Sequence, residues 1–467
     1  MRGRRLVLIV PLFAFACGGG RGSASSTPEP PAPQQVDWWE RAQPCPEGSR
    51  VGGERPPNGD FLYCETDDGI KNGPATRWHA NGKKARDGGF KDGQIHGRII
   101  SYFENGQKEL ESRFKDGVND GLTIAWHQNG KKAEEATFVG GKEEGVVRKW
   151  YESGTLKEEV HVHEGAPHGS WTEYYESGTK KRVTGYAAGK KHGAWKAWFD
   201  TGVVEGEGAF VDGAADGITL TYHATGRVES RATFARGQLD GTFESFHPNG
   251  APAQRTSFAA GKQIGTAVEM YENGQKKQES AFVDGEPDGV FLGWYPSGAK
   301  QVEGTHARGK RAGTWTIWWE DGTKRGQTRY ADDQPTSHVA WHENGKKAAE
   351  TSFKNGQADG VVSEWYPTGK KAREVRMRAG KRHGKAIMWH ENGKKAQELV
   401  YTDDVLSGTV TSWHENGKKK AQGTFAADKP VGKVTHWTEA GVIEKVEVYE
   451  DGELSKTIEY ENGKPVE

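Results

Sequence analysis

Large aromatic residues recur along this chain at a fixed distance from a glycine turn. A tryptophan or tyrosine usually lies four residues before the glycine, and a second apolar residue, most often phenylalanine, lies eight residues after it. Short apolar segments joined by Asn-Gly or a similar dipeptide are typical of β-hairpins. The pattern therefore predicts a strand, a tight turn, a second strand and a longer second turn, repeated along the chain.

The turn glycine, which we call the anchor glycine, recurs with an almost constant period. Successive anchors are 24 residues apart from Gly82 to Gly322, 23 apart to Gly345, 24 apart to Gly441 and 22 apart to Gly463. A fixed period of this length indicates a repeat architecture, in which each unit contacts only its neighbours. We expect an all-β fold, an elongated antiparallel meander of about sixteen 24-residue β-hairpin repeats.

The heptapeptide Trp-His-Glu-Asn-Gly-Lys-Lys, which occurs unchanged at 341–347, 389–395 and 413–419, sets the expected geometry of the first turn. A three-residue Glu-Asn-Gly loop with a left-handed glycine would place both aromatic stripes on one face of the sheet, whereas a two-residue loop would separate them. The residue six after the anchor would share that face, and it is mostly small, which leaves room for rings above it. We therefore predict a three-residue loop and a single aromatic face.

The second turn has its first glycine three residues after the phenylalanine stripe and reads Asp-Gly-x-x-[Asp/His]-Gly, as in residues 92–97. Residues 330–336, Tyr-Ala-Asp-Asp-Gln-Pro-Thr, lack both turn glycines, and their unit is one residue short. We expect a bend or an irregular loop there.

The opposite face carries the residue that follows each tryptophan, and lysine pairs lie close to the first turn. The candidate binding face consists of Tyr151, Tyr175, Tyr295, Trp319 and Tyr366 with Lys346, Lys347, Lys394 and Lys395. The aromatic members could anchor a protein partner, and the lysines could meet anionic lipid or polysaccharide. Because glutamates such as Glu343 and Glu391 dilute the lysine charge, we favour the protein partner.

Metal binding and catalysis are not expected. Seven of the sixteen histidines hold one repeat position, but neighbouring units are two strands, about 9.6 Å, apart. Zinc ligands must converge to about 2.1 Å from the metal, so we predict no metal and no cofactor. A uniform array offers no unique cleft in which two titratable groups could have separated pKa values, and we predict that the protein is not an enzyme.

Composition and charge agree with a thin sheet that has one modest apolar face. The hydrophobic fraction is 33%, the mean hydropathy is -0.85 and the formal net charge is -1. With so little net charge, no global field would steer the protein toward nucleic acid.

The N-terminus has the pattern of an export signal. Arginines precede a short apolar run that ends in Ala16-Cys17, which resembles a bacterial lipobox with lipidation at Cys17. Residues 1–16 are then a signal peptide, 17–36 a Gly/Ser/Pro-rich tether, 37–73 an N-terminal cap with a partial repeat, and 74–467 the repeat array. The alternative is an ordinary signal peptide cut near Ala16, which would leave Cys17 incidental.

The remaining two cysteines, Cys45 and Cys64, are expected to form a disulfide, because disulfides persist in an oxidising compartment. The bridge would hold a cap, from Asp37 to Tyr63, over the first strand edge. The alternative is two free thiols, which export makes less favoured.

With the repeat laid out as W-[HY]-E-N-G-x7-F-x2-G-x2-[DH]-G, residues 61–467 resemble the MORN-variant repeat of bacteria. The resemblance implies antiparallel hairpins stacked into an elongated sheet, with roles in protein association or membrane-lipid contact, and some members are labelled antitoxins. His306 and Met377 depart from it at the phenylalanine position, and Met270 departs at the tryptophan position.

The expected function is that of a non-catalytic scaffold of the bacterial cell envelope that mediates protein–protein interaction. The partner is not identified by the sequence, and the expected location is the outer membrane or cell surface, through a lipid anchor at Cys17. The alternatives are a charged-surface binder of anionic lipid or polysaccharide and an antitoxin or immunity-type neutraliser. The export signal counts against a cytoplasmic antitoxin.

Overall fold

The computed structural model describes residues 36–466 and contains one antiparallel sheet of 42 strands. Successive strands of the chain pair with one another from end to end, so the sheet is an open, elongated meander of hairpins. The predicted all-β repeat fold is confirmed. Among the described residues, no helix is long and apolar enough to cross a membrane.

The chain begins with a short 3-10 helix, η1, at Trp38–Glu40, and the strands then follow in order. Those of the first half are β1 Ser49–Glu54, β2 Phe61–Thr66, β3 Lys71–Trp78, β4 Lys84–Lys91, β5 Gln94–Ile95, β6 Gly97–Tyr102, β7 Lys108–Lys115, β8 Val118–Asn119, β9 Gly121–Trp126, β10 Lys132–Val139, β11 Lys142–Glu143, β12 Gly145–Trp150, β13 Leu156–His163, β14 Ala166–Tyr174, β15 Lys180–Ala187, β16 Lys190–Trp198, β17 Val204–Val211, β18 Ala214–Ala215, β19 Gly217–Tyr222, β20 Val228–Ala235 and β21 Gln238–Phe246.

The strands of the second half continue the same alternation to the last described residues. They are β22 Pro252–Ala259, β23 Lys262–Met270, β24 Lys276–Val283, β25 Glu286–Trp294, β26 Lys300–Ala307, β27 Lys310–Trp318, β28 Lys324–Ala331, β29 Gln334–Trp341, β30 Lys347–Lys354, β31 Gln357–Ala358, β32 Gly360–Trp365, β33 Lys371–Arg378, β34 Lys381–Trp389, β35 Lys395–Thr402, β36 Val405–Leu406, β37 Gly408–Trp413, β38 Lys419–Ala426, β39 Lys429–Trp437, β40 Ile443–Glu450, β41 Glu453–Glu461 and β42 Lys464–Pro465.

The first turn of each unit has a three-residue loop, as predicted. In the turn between β29 and β30, the His342 N–H donates to the Lys346 carbonyl at 2.8 Å, and the Gly345 N–H donates to the His342 carbonyl at 2.9 Å. Gly345 has a φ of 77°. The left-handed conformation is the reason for glycine at the anchor position, because a side chain there would be strained.

The strand after this turn contains a β-bulge, and the bulge changes which face each stripe occupies. Trp341 pairs with Lys347, but Ala340 pairs with Ala349, so Ala348 is an extra residue. Side chains alternate between faces, and one extra residue reverses the alternation beyond it. The tryptophan and phenylalanine stripes therefore lie on opposite faces, and the prediction of a single aromatic face is wrong.

We name the two sides by what they carry. The tryptophan face carries residues four and six before the anchor together with residues two and five after it. The core face carries residues seven before, six after and eight after the anchor, and its most buried residues form two apolar clusters. The members of these clusters are Ala136, Val147, Val160 and Val162, and Val375, Ala386 and Leu399.

The small residue six after the anchor is covered by a ring, but the ring comes from the position seven before the anchor. The Trp195 ring lies over Gly208, where an added Cβ would be 2.9 Å from the indole nitrogen. Trp195 also packs on Phe210, with ring centroids 6.2 Å apart. Small and large residues thus interdigitate on the core face without any tryptophan from the other side.

The second turn is shorter than predicted. Lys91 pairs with Gln94 across a two-residue loop, in which Asp92 and Gly93 both have positive φ, at 49° and 80°. This is the geometry of the mirror-image hairpin turn that Asp-Gly favours. The second half of the motif, His96-Gly97, lies in a bulge beyond the loop and not in the turn itself.

The short unit at 330–336 also folds regularly. Asp332 and Asp333 form the two-residue loop with φ values of 48° and 66°, and the next pairs are Ala331 with Gln334 and Tyr330 with Pro335. The following bulge contains one extra residue, where the unit before it has two. This bulge is therefore one residue shorter, which accounts for the shorter unit, and pairing resumes in the normal register. The prediction of a bend is wrong.

The N-terminal segment forms the edge of the sheet. Strand β1 pairs with β2, and Cys45 and Cys64 are joined by a disulfide. Trp39 packs on the first tryptophan of the array, Trp78, with ring centroids 5.3 Å apart. The N-terminal segment therefore covers part of the tryptophan face. We expected it to cover the first strand edge, but its own strand β1 forms that edge.

The proposed signal peptide and most of the tether, including Cys17, lie outside the described residues.

Candidate interaction surfaces

Each first turn is bonded to the next turn by the side chains of its own motif. The Asn344 Nδ2 donates to the Pro367 carbonyl at 2.7 Å, and its Oδ1 accepts the Lys346 N–H at 3.1 Å. The Lys346 Nζ donates to the Thr368 carbonyl at 2.8 Å. Because these acceptors belong to the following unit, asparagine and lysine stabilise the stacking of units along this rim of the sheet.

The residue after each tryptophan has the same structural role. In the seven units that have histidine there, Nε2 donates to the carbonyl of the next unit's tryptophan-position residue. These residues are His79, His127, His223, His247, His342, His390 and His414, with distances from 2.7 to 3.1 Å. Tyrosine hydroxyls make the equivalent bond, which explains why either residue type occupies this position.

The candidate binding face is largely used in these bonds. The hydroxyls of Tyr151, Tyr175, Tyr295 and Tyr366 donate to carbonyls of the next unit at 2.8–2.9 Å. Trp319 is an exception, because its indole N–H is buried without a partner among the described residues and Arg325 lies 4.5 Å above its ring. That this face binds a partner stays a prediction.

The four lysines of the candidate face are divided between two environments. Lys346 and Lys394 donate to backbone carbonyls of the next turn. Lys347 and Lys395 lie on the tryptophan face and form ion pairs with Glu350 and Glu398, at 3.0 and 2.7 Å. All four ammonium groups already have partners within the array.

The opposite rim is bonded through the Asp/His position of the second-turn motif. Its side chain accepts the N–H of the first loop residue one unit later, as Asp359 does from Ala379 at 3.0 Å. Asp120, Glu144, His168 and Asp216 accept in the same way. The motif that resembled a long turn is therefore a turn plus a contact to the next unit.

The tryptophan face carries a ladder of tryptophan, lysine and glutamate. In one step, the Lys347 Nζ lies 5.2 Å from the ring centroid of Trp365 in the next unit and 3.0 Å from the carboxylate of Glu350. Such a lysine gains a cation–π contact and an ion pair together. The lysines placed in this way over the next unit's tryptophan are Lys108, Lys132, Lys276, Lys300, Lys324, Lys347, Lys371, Lys395 and Lys419.

Sequence reasoning did not find this ladder. The signal was present, because lysine two after the anchor and glutamate five after it recur together. Along the chain, however, adjacent lysines resemble one charged pair and not members of two different surfaces. Lys346 closes the turn opposite His342, whereas Lys347 pairs with Trp341 on the tryptophan face. The bulge at Ala348 then brings Glu350 to the same face as Lys347, and the position of this bulge is not evident from the spacing of aromatic residues alone.

The carboxylate of Glu111, in the ladder step of Lys108, is held in the ionised form by its cationic neighbours. Hydrogen bonds from Arg98 and then from Lys108 lower the pKa of Glu111 to about 2. Its side chain is 24% exposed, so the two cations are only partly screened by water.

The ladder contacts stop after Lys132 and resume at Lys276. Leu156 and Val183 each replace one ladder residue, and residues 204–270, which we call the interrupted segment, lack the lysine in every unit. The lysine position is occupied by Val204, Val228 and Pro252, and the glutamate position by Glu207, Arg231 and Arg255. The tryptophan position holds Tyr222, Phe246 and Met270. These three side chains consequently have no lysine above them.

Glu207 shows how the interrupted segment replaces the ladder contacts. It accepts the Tyr222 hydroxyl at 2.7 Å and forms an ion pair with Lys196 at 2.7 Å. The hydrogen bond to Glu207, with burial as the second cause, raises the pKa of Tyr222 to about 12.

Among residues 36–466 there is no group of three or more His, Cys, Asp or Glu side chains that could hold a metal ion.

A family model described as the MORN repeat variant matches the chain at five stretches, residues 95–116, 143–163, 167–186, 382–403 and 406–427. The chain is a MORN-repeat protein. Each matched stretch contains one first turn and most of the two strands that it joins, and the structure shows that these units share one hairpin geometry. A MORN-repeat chain of this kind is a repeat scaffold.

No curated protein matches the MORN-repeat chain in sequence. Among solved structures, it is similar to a crystal structure of TcdB2-TccC3, with 10% identity and a TM-score of 0.14 over 88% of this chain and 27% of that chain. A Photorhabdus luminescens Tc holotoxin pore with a mutated TccC3 gives 10% identity and a TM-score of 0.13 over 88% and 26%. The chain spans about a quarter of the length of these chains, and likeness at this level adds no argument about function.

Proposed function

We propose that this MORN-repeat protein is a non-catalytic scaffold of the bacterial cell envelope that holds a protein partner on a face of its sheet. One observation carries the proposal. The polar residues of the repeat motif bond to the next unit along both rims, which leaves the two faces as the surfaces that can differ from unit to unit. A scaffold needs such a combination of a constant frame and a variable surface.

The cell-envelope part of the proposal is supported by the N-terminal sequence and by the cysteines. The pattern that ends in Ala16-Cys17 is typical of export with lipidation. The Cys45–Cys64 disulfide suits an oxidising compartment. Lipidation at Cys17 would hold the array at a membrane while the tether separates the two.

The alternative of an anionic lipid or polysaccharide binder is less favoured by the charges of the array. Lys346 and Lys394 are bonded to carbonyls, and Lys347 and Lys395 are paired with glutamates. A phosphate or sulfate group would have to displace these partners.

Two measurements on the full-length protein test the proposal. The first is membrane fractionation, in which wild-type protein should be found with membranes and Cys17→Ser in the soluble fraction. A wild-type protein that is already soluble would contradict the anchor.

The second measurement is site-specific photo-crosslinking in cells, with the crosslinker at Glu244 on the tryptophan face and, as a control, at His192 on the second-turn rim. A discrete protein adduct from the face position that persists in about 1 M salt, where the Debye length is about 3 Å, is the expected result. Binding to anionic vesicles that is lost on changing Lys347 and Lys395 to glutamine would favour the alternative instead.

A further inference from the structure

The interrupted segment differs from the rest of the tryptophan face in both shape and charge. In residues 276–437, which we call the regular stretch, each complete ladder step adds one lysine and one glutamate, so the pair is neutral, and two steps have Gln327 and Gln422 in place of the glutamate. In the interrupted segment, valine or proline replaces the lysine and arginine replaces the glutamate at Arg231 and Arg255. At two successive units the charge at the glutamate position is therefore reversed, and the lysine position is uncharged.

The cross-strand pairs place these arginines in one row across the sheet. Arg231 pairs with Glu244 and Glu244 pairs with Arg255, so a single carboxylate lies between two guanidinium groups. Arg255 is 3.6 Å from Glu244 and its side chain is 72% exposed. Arg231 is exposed and has no ion pair within residues 36–466. This row has an excess of positive charge that faces solvent.

An apolar strip runs beside the row. Phe246 pairs with Pro252, and these side chains, together with Val268, Met270 and Arg255, line a shallow pocket of about 180 Å³. Cavities on the order of 150 Å³ hold a benzene ring. The pocket is therefore large enough for one apolar side chain of a partner, with a guanidinium group at its border.

We propose that the interrupted segment of the tryptophan face docks an extended protein segment in which acidic side chains alternate with apolar anchors. This proposal rests on the proposed scaffold function and names the site and the partner's chemistry. The guanidinium groups of Arg231 and Arg255 would bind carboxylates, and Phe246, Pro252 and Met270 would contact the anchors.

The spacing of the site limits the sequence of the partner. Equivalent residues of successive units are two strands apart, about 9.6 Å. A segment in the extended polyproline II conformation rises about 3.1 Å per residue with three residues per turn, so every third side chain lies on the same side. A segment that runs along the array therefore advances one unit every three residues. Acidic and apolar residues should each recur with a period of three.

The test uses the full-length protein and a fluorescent peptide with four copies of Glu-Phe-Ser, and the measurement is fluorescence anisotropy. Comparison peptides replace glutamate by lysine or phenylalanine by serine. We expect the acidic, phenylalanine-containing peptide to bind at least about tenfold more tightly than either comparison peptide. Equal affinity for the lysine peptide, or no binding at concentrations up to about 1 mM, would overturn the proposal.

A matched exchange of side chains separates this site from the rest of the face. The variant Val228→Lys, Arg231→Glu, Pro252→Lys, Arg255→Glu restores the regular ladder pattern and should lower peptide affinity at least about tenfold. The reverse exchange in the regular stretch, Lys300→Val with Glu303→Arg, should leave affinity within about twofold. Circular dichroism confirms that both variants are folded.

Unchanged peptide affinity in the first variant would overturn the site. If that variant also retained the cellular crosslinked partner, the proposed scaffold function would stand while this docking site would fall. If the crosslinker on the tryptophan face of an otherwise wild-type protein gave no protein adduct at all, the proposed function itself would fail, whatever the peptide result.

Discussion

The regular stretch from 276 to 437 and the interrupted segment from 204 to 270 have the same backbone but different faces. Both keep the three-residue first turn and the bulge that follows it. Both keep the rim contacts, because His223 and His247 donate to the next unit as His342 does. Only the regular stretch has the ladder of lysine over tryptophan.

This comparison separates the residues that specify the fold from those that are free to change. Turn glycines and rim side chains fix the register and the stacking of units, so they must recur in nearly every repeat. Side chains on the tryptophan face add stability where the ladder is present, but the sheet continues without it. In a repeat scaffold, the units whose face departs from the repeat pattern therefore say more about function than the units that follow it.

The largest expected difference between the two regions comes from removing a ring. Trp365 has Lys347 and Lys371 near its ring, at 5.2 and 5.9 Å, whereas Phe246 has no lysine above it. We expect Trp365→Ala to lower the free energy of unfolding by about 2–3 kcal/mol and Phe246→Ala by about 1–2 kcal/mol, because both rings are only partly buried. Urea unfolding followed by circular dichroism measures both, and equal losses would show that the ladder adds nothing to the ring.

The next effect is the response of the ladder to acid. The pKa of Glu111 is about 2 in the folded protein, against an ordinary value of 4.5, so the folded state favours the ionised carboxylate. The resulting stabilisation is fully present above pH 4.5 and is lost as the pH falls to about 2.

The variant Glu111→Gln tests this response. We expect it to cost about 1 kcal/mol near neutral pH and progressively less as the pH falls through 2. The measurement is the difference in free energy of unfolding between wild type and variant across that range. A difference that does not depend on pH would mean that Glu111 contributes through packing and not through its charge.

The interrupted segment should respond to alkali instead. The pKa of Tyr222 is raised to about 12 by its hydrogen bond to Glu207, so the folded state favours the neutral phenol. This contribution is present below the ordinary pKa of 10 and is lost as the pH rises toward 12.

Replacing Tyr222 by phenylalanine should cost about 0.5–1 kcal/mol at neutral pH, with the difference from wild type shrinking above pH 10. Phenolate absorbance follows the titration of this group directly, and the wild-type spectrum should retain one more late-titrating tyrosine than the variant. If the two spectra titrate alike, the bond to Glu207 is not formed in solution.

Much of the fold could be predicted from the spacing of glycines and aromatic residues. The anchor series gives the period and the three-residue loop, because only a left-handed glycine fits after Glu343-Asn344. The sequence did not predict that the tryptophan and phenylalanine stripes lie on opposite faces of the sheet. A single extra residue such as Ala348 reverses the alternation of side chains, and the hydrophobic pattern does not show where that residue lies. The same limit applies to Asp332-Asp333, whose turn forms without glycine.

The candidate surfaces were harder to predict than the fold. Tyr366 and Lys346 recur because they bond to the next unit, and recurrence alone does not distinguish such bonds from a binding role. Arg231 and Arg255 stand out only after the structure places the lysine and glutamate positions on one face. A list of departures from the repeat consensus would have contained them, but without the register it could not show that they are neighbours in one row.

The smallest predicted effect sharpens the comparison most directly, because it builds a ladder step where none exists. In Val228→Lys with Arg231→Glu, the new lysine would lie within reach of the new carboxylate and of the ring of Phe246, as Lys347 lies near Glu350 and Trp365. A partly exposed ion pair with a weak cation–π contact should raise the free energy of unfolding by about 0.5 kcal/mol. Removing the equivalent step by Lys347→Met should lower it by a similar amount. The contrary result is that both variants destabilise the protein. In that case the interrupted segment cannot accommodate the ladder, and its residues differ from the repeat because of packing and not because the face is free to vary.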